Sequence, residues 1–146
     1  IIEHLSPPSD SNRLNKILEK LDKTFIPILS ERVNINEYAQ KLARSAEIFY
    51  VIKDGQDIGN CAVYLNETNG FISSIAIKPE YTRMHLGETL WKAVRKLAIS
   101  KKIYTITLKV YEYNHNAYFF YKQIGFSVLS KENKWIIMQV NERNNT

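Results

Sequence analysis

The sequence predicts a mixed α/β domain, of the α+β kind in which helices cover a mostly antiparallel sheet. Three observations predict it. Two hairpin signals, Asp54-Gly55 and Asn69-Gly70, separate apolar runs in the middle of the chain. Residues 71–110 read as strand, helix, strand, which makes those two strands a parallel pair joined by a right-handed crossover. Amphipathic helical stripes stand before and inside this pattern.

Taken in order, Leu14, Ile17, Leu18 and Leu21 recur at helical spacing and predict a first helix. Pro27 disfavours helix in the segment 25–33 that follows. Asn34, with Glu37 three residues on, forms an N-cap pair for a second helix carrying Ile35, Tyr38, Ala39, Leu42 and Ala46. Residues 48–52 and 58–65 flank Asp54-Gly55 as two strands. In the third strand Phe71, Ser73, Ile75 and Ile77 alternate with Ile72, Ser74, Ala76 and Lys78, a period of two. Pro79 ends it. Leu86, Leu90, Ala93, Val94 and Leu97 mark a helix to about Ser100, and Ile106, Leu108 and Val110 a strand. Ala117, Phe120, Tyr121 and Ile124 form a short helix closed by Gly125. Strands at 126–129 and 135–140 complete the order ααβββαβαββ. There is no repeat. The expectation is one domain over residues 1–146, with 141–146 a frayed polar tail.

Composition narrows the function. Hydrophobic residues make up 45% and charged residues 24%, as in folded domains, so bulk disorder is excluded. One cysteine, Cys61, and three scattered histidines exclude a disulfide within the chain and leave no metal site expected. No apolar run approaches the roughly 18 residues of a membrane span. No signal-peptide pattern opens the chain, so a soluble, cytoplasmic protein without membrane contact is expected. The net charge of +5 suits an anionic partner, but it also serves as ordinary solubilising charge. Lysine and arginine are spread out and the strands lack clustered cations with exposed aromatics, so nucleic acid is not an expected partner.

Two segments carry candidate chemistry. In the first, a strand ends at Ile77 and a helix opens near Gly87. A helix N-terminus offers unpaired N–H groups to phosphate, with Arg83 nearby as a cation, although every α/β protein has such junctions. In the second, residues 114–126, Tyr121 is either one more core aromatic or a proton donor to a thiolate leaving group.

The order and spacing of these two segments resemble the GNAT superfamily of N-acetyltransferases. That family has a Q/R-x-x-G-x-G/A loop after its fourth strand and an N-x-x-A…Y-x-x-x-G-F segment after its fifth. Asn114, Ala117, Tyr121, Gly125 and Phe126 match the second motif in register. The first motif is altered, with Thr82 where Gln or Arg is usual, His85 at the first glycine, and only Gly87 matching. The resemblance covers the chain from about Leu14 onward. It implies a GNAT-like mixed sheet of about six to seven strands with a parallel, splayed central pair, flanked by about four helices.

The resemblance also implies acetyl-CoA as the acyl donor. Its pantetheine would run along Ile75, Ala76 and Ile77, and its pyrophosphate would sit on the amides of Arg83, Met84, His85, Leu86, Gly87 and Glu88. Asn114 would hold the cofactor's amide arm, with Ala117 and Phe120 bordering it and His115 near its 3′-phosphate. His85 must find an allowed backbone conformation where the family has glycine. A primary amine would attack the thioester in a ternary complex. Backbone N–H near Ser74 or Ile75 would stabilise the oxyanion, and Tyr121 would protonate the leaving thiolate. Phe71 stands where some members have a basic Glu, so the base is open among Tyr64, Glu31, His85 and a water relay past Ser73.

Cys61 reads better as a core residue than as an acyl-enzyme nucleophile, and His4 and His115 as surface residues. The acceptor pocket is expected from the loop 25–33, with Phe25, Leu29 and Arg32 facing Tyr50, Tyr64 and Ser73. The same loop reads equally well as simple packing under the sheet. Arg32 hints at a carboxylate or a phosphate on the acceptor. The expected acceptor is a small-molecule primary amine. The alternatives are a protein N-terminus or lysine, or a non-catalytic acyl-CoA-binding module. Homodimers are common in the family, which leaves a homodimer open here by analogy while the sequence itself is silent on oligomeric state.

Overall fold

A computed structural model describes residues 1–145. Seven strands form one sheet: β1 (Ile2–Leu5), β2 (Glu47–Lys53), β3 (Gln56–Tyr64), β4 (Gly70–Ile77), β5 (Thr105–Tyr111), β6 (Ser127–Glu132) and β7 (Trp135–Asn141). They lie in the order β1-β2-β3-β4-β5-β7-β6. Four α-helices flank it: α1 (Ser11–Leu21), α2 (Ile35–Ser45), α3 (Leu86–Ser100) and α4 (His115–Gln123).

Helices α1 and α2 form where the apolar spacing places them. Asp10 caps α1 through a 2.9 Å bond from Asn12 N–H, and Leu14, Ile17, Leu18 and Leu21 are buried. Asn34 Oδ1 accepts from Glu37 N–H at 3.0 Å, the predicted N-cap of α2. These two helices pack on one face of the sheet against Ile48, Tyr50 and Ala62. Leu90, Trp91 and Val94 of α3 pack on the other face with Cys61, Ile106, Leu108 and Met138. The sheet therefore has a core on each side.

Two expectations about the ends need correction. Residues 2–5 form β1, antiparallel to β2 from Ile2↔Val51 to Leu5↔Ile48, where the sequence showed no strand. His4 is not a free surface residue. Its Nε2 lies 2.8 Å from Glu47 Oε1 and its ring stacks on Phe49 at 4.7 Å. The polar tail starts later than expected. Asn141 pairs with Thr105 in β7, and Glu142 is buried and accepts from Arg95 Nε at 2.7 Å. Thr146 lies outside the described residues.

The sheet breaks in its middle. All strand pairs are antiparallel except β4 with β5, which are parallel and pair only at Gly70↔Ile106 and Phe71↔Thr107. Past Phe71 the two strands diverge. The outer edge of β4 then lacks a strand partner, although β3 still holds its other edge as far as Ile77.

Beta-strand β4 also departs from the period of two. Ala62 faces Ser74 and Val63 faces Ile72, so Ser73 is an extra residue in a β-bulge. A bulge moves every later side chain to the opposite face. Ile72 consequently shares the α3-side core with Ile75 and Ile77, while Ala76 packs on the α1–α2 side.

Candidate active site

A cleft of about 1110 Å³ occupies the break between β4 and β5. One wall is β4 from Phe71 to Ile77, and the other is Lys109, Val110 and Tyr111 with α4. One end opens at the start of α3, beside Thr82, His85, Gly87 and Glu88. The other end meets the loop carrying Lys23, Phe25, Arg32 and Val33, and Trp135 of β7.

The α3 end is built to meet anions. The first helical hydrogen bond runs from Thr89 N–H to His85 O at 3.2 Å. The amides of Leu86, Gly87 and Glu88 precede it and have no helical acceptor. His85 takes a left-handed conformation, φ 56° and ψ 24°, which is the conformation a glycine would take at no cost. Gly87 has a packing reason as well. A Cβ there would lie 3.0 Å from Cε1 and Cζ of Phe120, so the bare glycine lets α4 close onto α3.

Tyr121 lines the cleft from α4 and is 8% exposed. Its ring packs edge-on against Phe120 at 5.6 Å. Burial, with a smaller contribution from Cys61, pushes its phenol up. The group stays protonated and holds a proton to give. Asn114 spends its side-chain oxygen as the N-cap of α4, accepting from Ala117 N–H at 3.3 Å. Its amide nitrogen remains available to the cleft.

Tyr38 of α2 was legible only as a member of a helical stripe. Its hydroxyl lies 2.6 Å from Ser73 Oγ and donates to Ser73 O at 3.2 Å. It thus clamps the bulge of β4, and it also lines the cleft. Burial pushes its phenol up, against the opposing pull of Ser73.

Most of the expected site residues meet here. Phe25, Leu29, Arg32, Ser73, Ile75, Ala76, Ile77, His85, Gly87, Glu88, Asn114, Ala117, Phe120 and Tyr121 line the one cleft. Four do not. Arg83 and Met84 are exposed outside it, Leu86 packs into the α3-side core, and Tyr64 packs beside α2 at the far edge of β4. Leu29 is only 2% exposed and chiefly anchors its loop. Tyr50 is fully buried under the Arg13 guanidinium, 3.8 Å from its ring centre, and faces no pocket. Of the base candidates only His85 lines the cleft, since Tyr64 and Glu31 lie off it. Cys61 is completely buried and its thiol is pushed up by burial, so it offers no thiolate for an acyl-enzyme. His115 is exposed at the start of α4. Among the described residues no group of three His, Cys, Asp or Glu could hold a metal ion, and no helix is long and apolar enough to cross a membrane.

A family model described as the acetyltransferase (GNAT) family matches residues 14–126. The chain belongs to the acetyltransferase (GNAT) family. The split sheet of this GNAT chain is the arrangement that the resemblance implied.

Its relatives differ in what they act on. The chain is 36% identical over 80 residues to a Bacillus subtilis protein described as a ribosomal protein bS18-alanine N-acetyltransferase. It is 30% identical over 69 residues to a thialysine N-ε-acetyltransferase of Caenorhabditis elegans. The matches span 55% and 47% of this chain, and 53% and 43% of those proteins, so about half their length or less. Among solved structures, the PaiA N-acetyltransferase of Thermoplasma acidophilum in complex with coenzyme A superposes with a TM-score of 0.77. That match is 22% identical and covers 97% of this chain and 99% of the other. The ribosomal-protein-S18-alanine N-acetyltransferase of Escherichia coli superposes at 0.76 with 15% identity, over 97% and 94% of the two chains. At these identities the likeness is one of fold.

Proposed function

We propose that the chain is an acetyl-CoA-dependent N-acetyltransferase that transfers the acetyl group directly to a primary amine of a small-molecule acceptor. The observation that carries this reading is the parting of β4 from β5 after Phe71, with a protonated Tyr121 facing the gap.

The residues present fit the donor. The unpaired edge of β4 from Ile72 to Ile77 can bind an extended amide chain as an added strand would. The amides of Leu86, Gly87 and Glu88 suit a pyrophosphate at the positive end of α3. Acetyl-CoA supplies an acyl group activated as a thioester. Tyr121 gives its proton to the departing sulfur. Tyr38 and Ser73 fix the bulge, and the β4 backbone N–H groups beside it would stabilise negative charge on the thioester's carbonyl oxygen. No carboxylate stands at Phe71, and the open cleft lets water carry off the proton of the amine. The sealed Cys61 supports direct transfer over an acyl-enzyme.

Arg32 supports a small acceptor. Its guanidinium lies over Trp135, 5.3 Å from the ring centre, and so bridges the loop 25–33 to β7 across the cleft. That bridge leaves room for a small molecule more readily than for a peptide. A protein N-terminus is the second reading, favoured by the Bacillus subtilis relative.

Thiol release from acetyl-CoA with small amines and with alanine-ended peptides separates the two. Tyr121→Phe is expected to lower kcat about 100-fold or more, the ordinary contribution of a positioned acid. The stabilisation of the chain by free CoA should be unchanged. Full turnover by Tyr121→Phe would remove Tyr121 as the acid.

A further inference from the structure

We infer that the acceptor carries a carboxylate as well as its amine, and that Arg32 binds that carboxylate. The inference rests on the acetyltransferase reading and deepens it at the acceptor end of the same cleft.

Arg32 is held at both ends of its side chain. The loop before it is fixed at two points. Asp22 accepts from both the backbone N–H and the hydroxyl of Ser30, each at 2.7 Å, and Leu29 is buried beneath. The N–H of Arg32 donates to Leu29 O at 2.9 Å. The side chain then lies against the face of Trp135, whose ring is itself braced edge-on by Tyr111 at 5.3 Å. The guanidinium is therefore placed at both its root and its head.

Placed in this way, it has no counter-ion. Among the described residues no carboxylate lies within 4.0 Å of it. Of the two acids near it in sequence, Asp22 is taken up by Ser30, and Glu31 lies off the cleft. An aromatic face satisfies the charge of a guanidinium but accepts none of its in-plane N–H bonds. Those donors form a planar fork that suits a carboxylate.

The surrounding charge agrees. Lys23 and Lys109 line the same end of the cleft, against one carboxylate, Glu132. The Lys109–Glu132 pair spans 3.9 Å between groups that are 50% and 66% exposed, so it neutralises little. Polyamines would meet cations here without a matching anionic wall. An amino acid, or a short acid with a terminal amine, places its carboxylate on Arg32 and its amine toward β4.

The test is a matched panel at saturating acetyl-CoA: amino acids, their carboxamides, their decarboxylated amines, and aminoalkyl phosphates. The acid should exceed its own amide by about tenfold or more in kcat/KM, the worth of a charge-assisted hydrogen bond. Arg32→Gln should bring that ratio toward one, and Arg32→Lys should restore it in part. Affinity for CoA should be unchanged in both. Equal turnover of acid and amide, or a ratio that Arg32→Gln leaves intact, overturns the inference while the acetyltransferase reading stands. A preference for the phosphates over the acids also overturns it, as a phosphate site. Should no amine turn over, the acetyltransferase reading fails first. The carboxylate site is then read from binding of N-acetylated acids against their amides to the CoA-loaded protein, and equal binding overturns it.

Discussion

At the scale of single residues, His85 shows how a motif position tolerates an unfamiliar side chain. The backbone at 85 is left-handed, φ 56°, where glycine is at ease and a Cβ costs about 1 kcal/mol. Histidine is among the side chains found there more often than most. His85→Gly should therefore raise stability by about 0.5–1 kcal/mol, read as a higher urea midpoint at unchanged slope. A lower midpoint would mean that the imidazole makes a contribution its exposed position does not suggest. The same scale sets the limit of sequence reading at the site. Tyr121 and Asn114 stood out because they fell into a spaced pattern. Tyr38 carried no mark beyond its place on an apolar stripe, because its partner Ser73 lies 35 residues away. Tyr50 and Tyr64 were expected to face the pocket, yet the Arg13 guanidinium covers Tyr50, and Tyr64 packs beside α2 off the cleft.

Between elements, the contact of α3 with α4 is decided by one missing methyl group. Gly87 and Phe120 interlock at 3.0 Å from where a Cβ would stand, and both line the cleft. Gly87→Ala should cost about 1–3 kcal/mol, as overpacking does. Phe120→Leu removes the ring atoms that clash, so Gly87→Ala should cost little in that background. A double-mutant cycle in urea measures this coupling, and strict additivity would show that the glycine answers to something other than Phe120. The order of the elements was legible because helices and turns announce themselves locally. Beta-strand β1 was not, since four residues of mixed polarity become a strand only through their pairing with β2. The bulge at Ser73 was not either. An inserted residue leaves the alternating pattern of the sequence intact while it changes which face each side chain meets.

Across the whole molecule, the break in the sheet divides two kinds of burial. Strands β2 and β3 are covered on both faces, whereas the α1–α2 side of β5 and β7 carries Lys109, Tyr111 and Trp135 into the cleft. Folding keeps ionisable groups neutral on both sides of this divide, Cys61 in the covered half and Tyr121 beside the cleft. The thiol of Cys61 and the phenol of Tyr121 are both pushed up by burial from ordinary values of 9.0 and 10.0. In the unfolded chain they lose protons near those values, and in the folded chain they do not. Their contribution is thus complete below pH 9 and declines as pH rises, because the unfolded state alone gains from ionisation. Stability should fall by about 1.4 kcal/mol per pH unit once the thiol titrates, and about three times as steeply above pH 10, where the phenols of Tyr121 and Tyr50 join it. Urea midpoints between pH 8 and 10.5 measure the slope. Cys61→Ala should flatten the segment between pH 9 and 10 whatever it does to the absolute stability. An unchanged slope in that variant would place the alkaline sensitivity elsewhere, with Tyr50, whose phenol burial also pushes up, as the next group to remove.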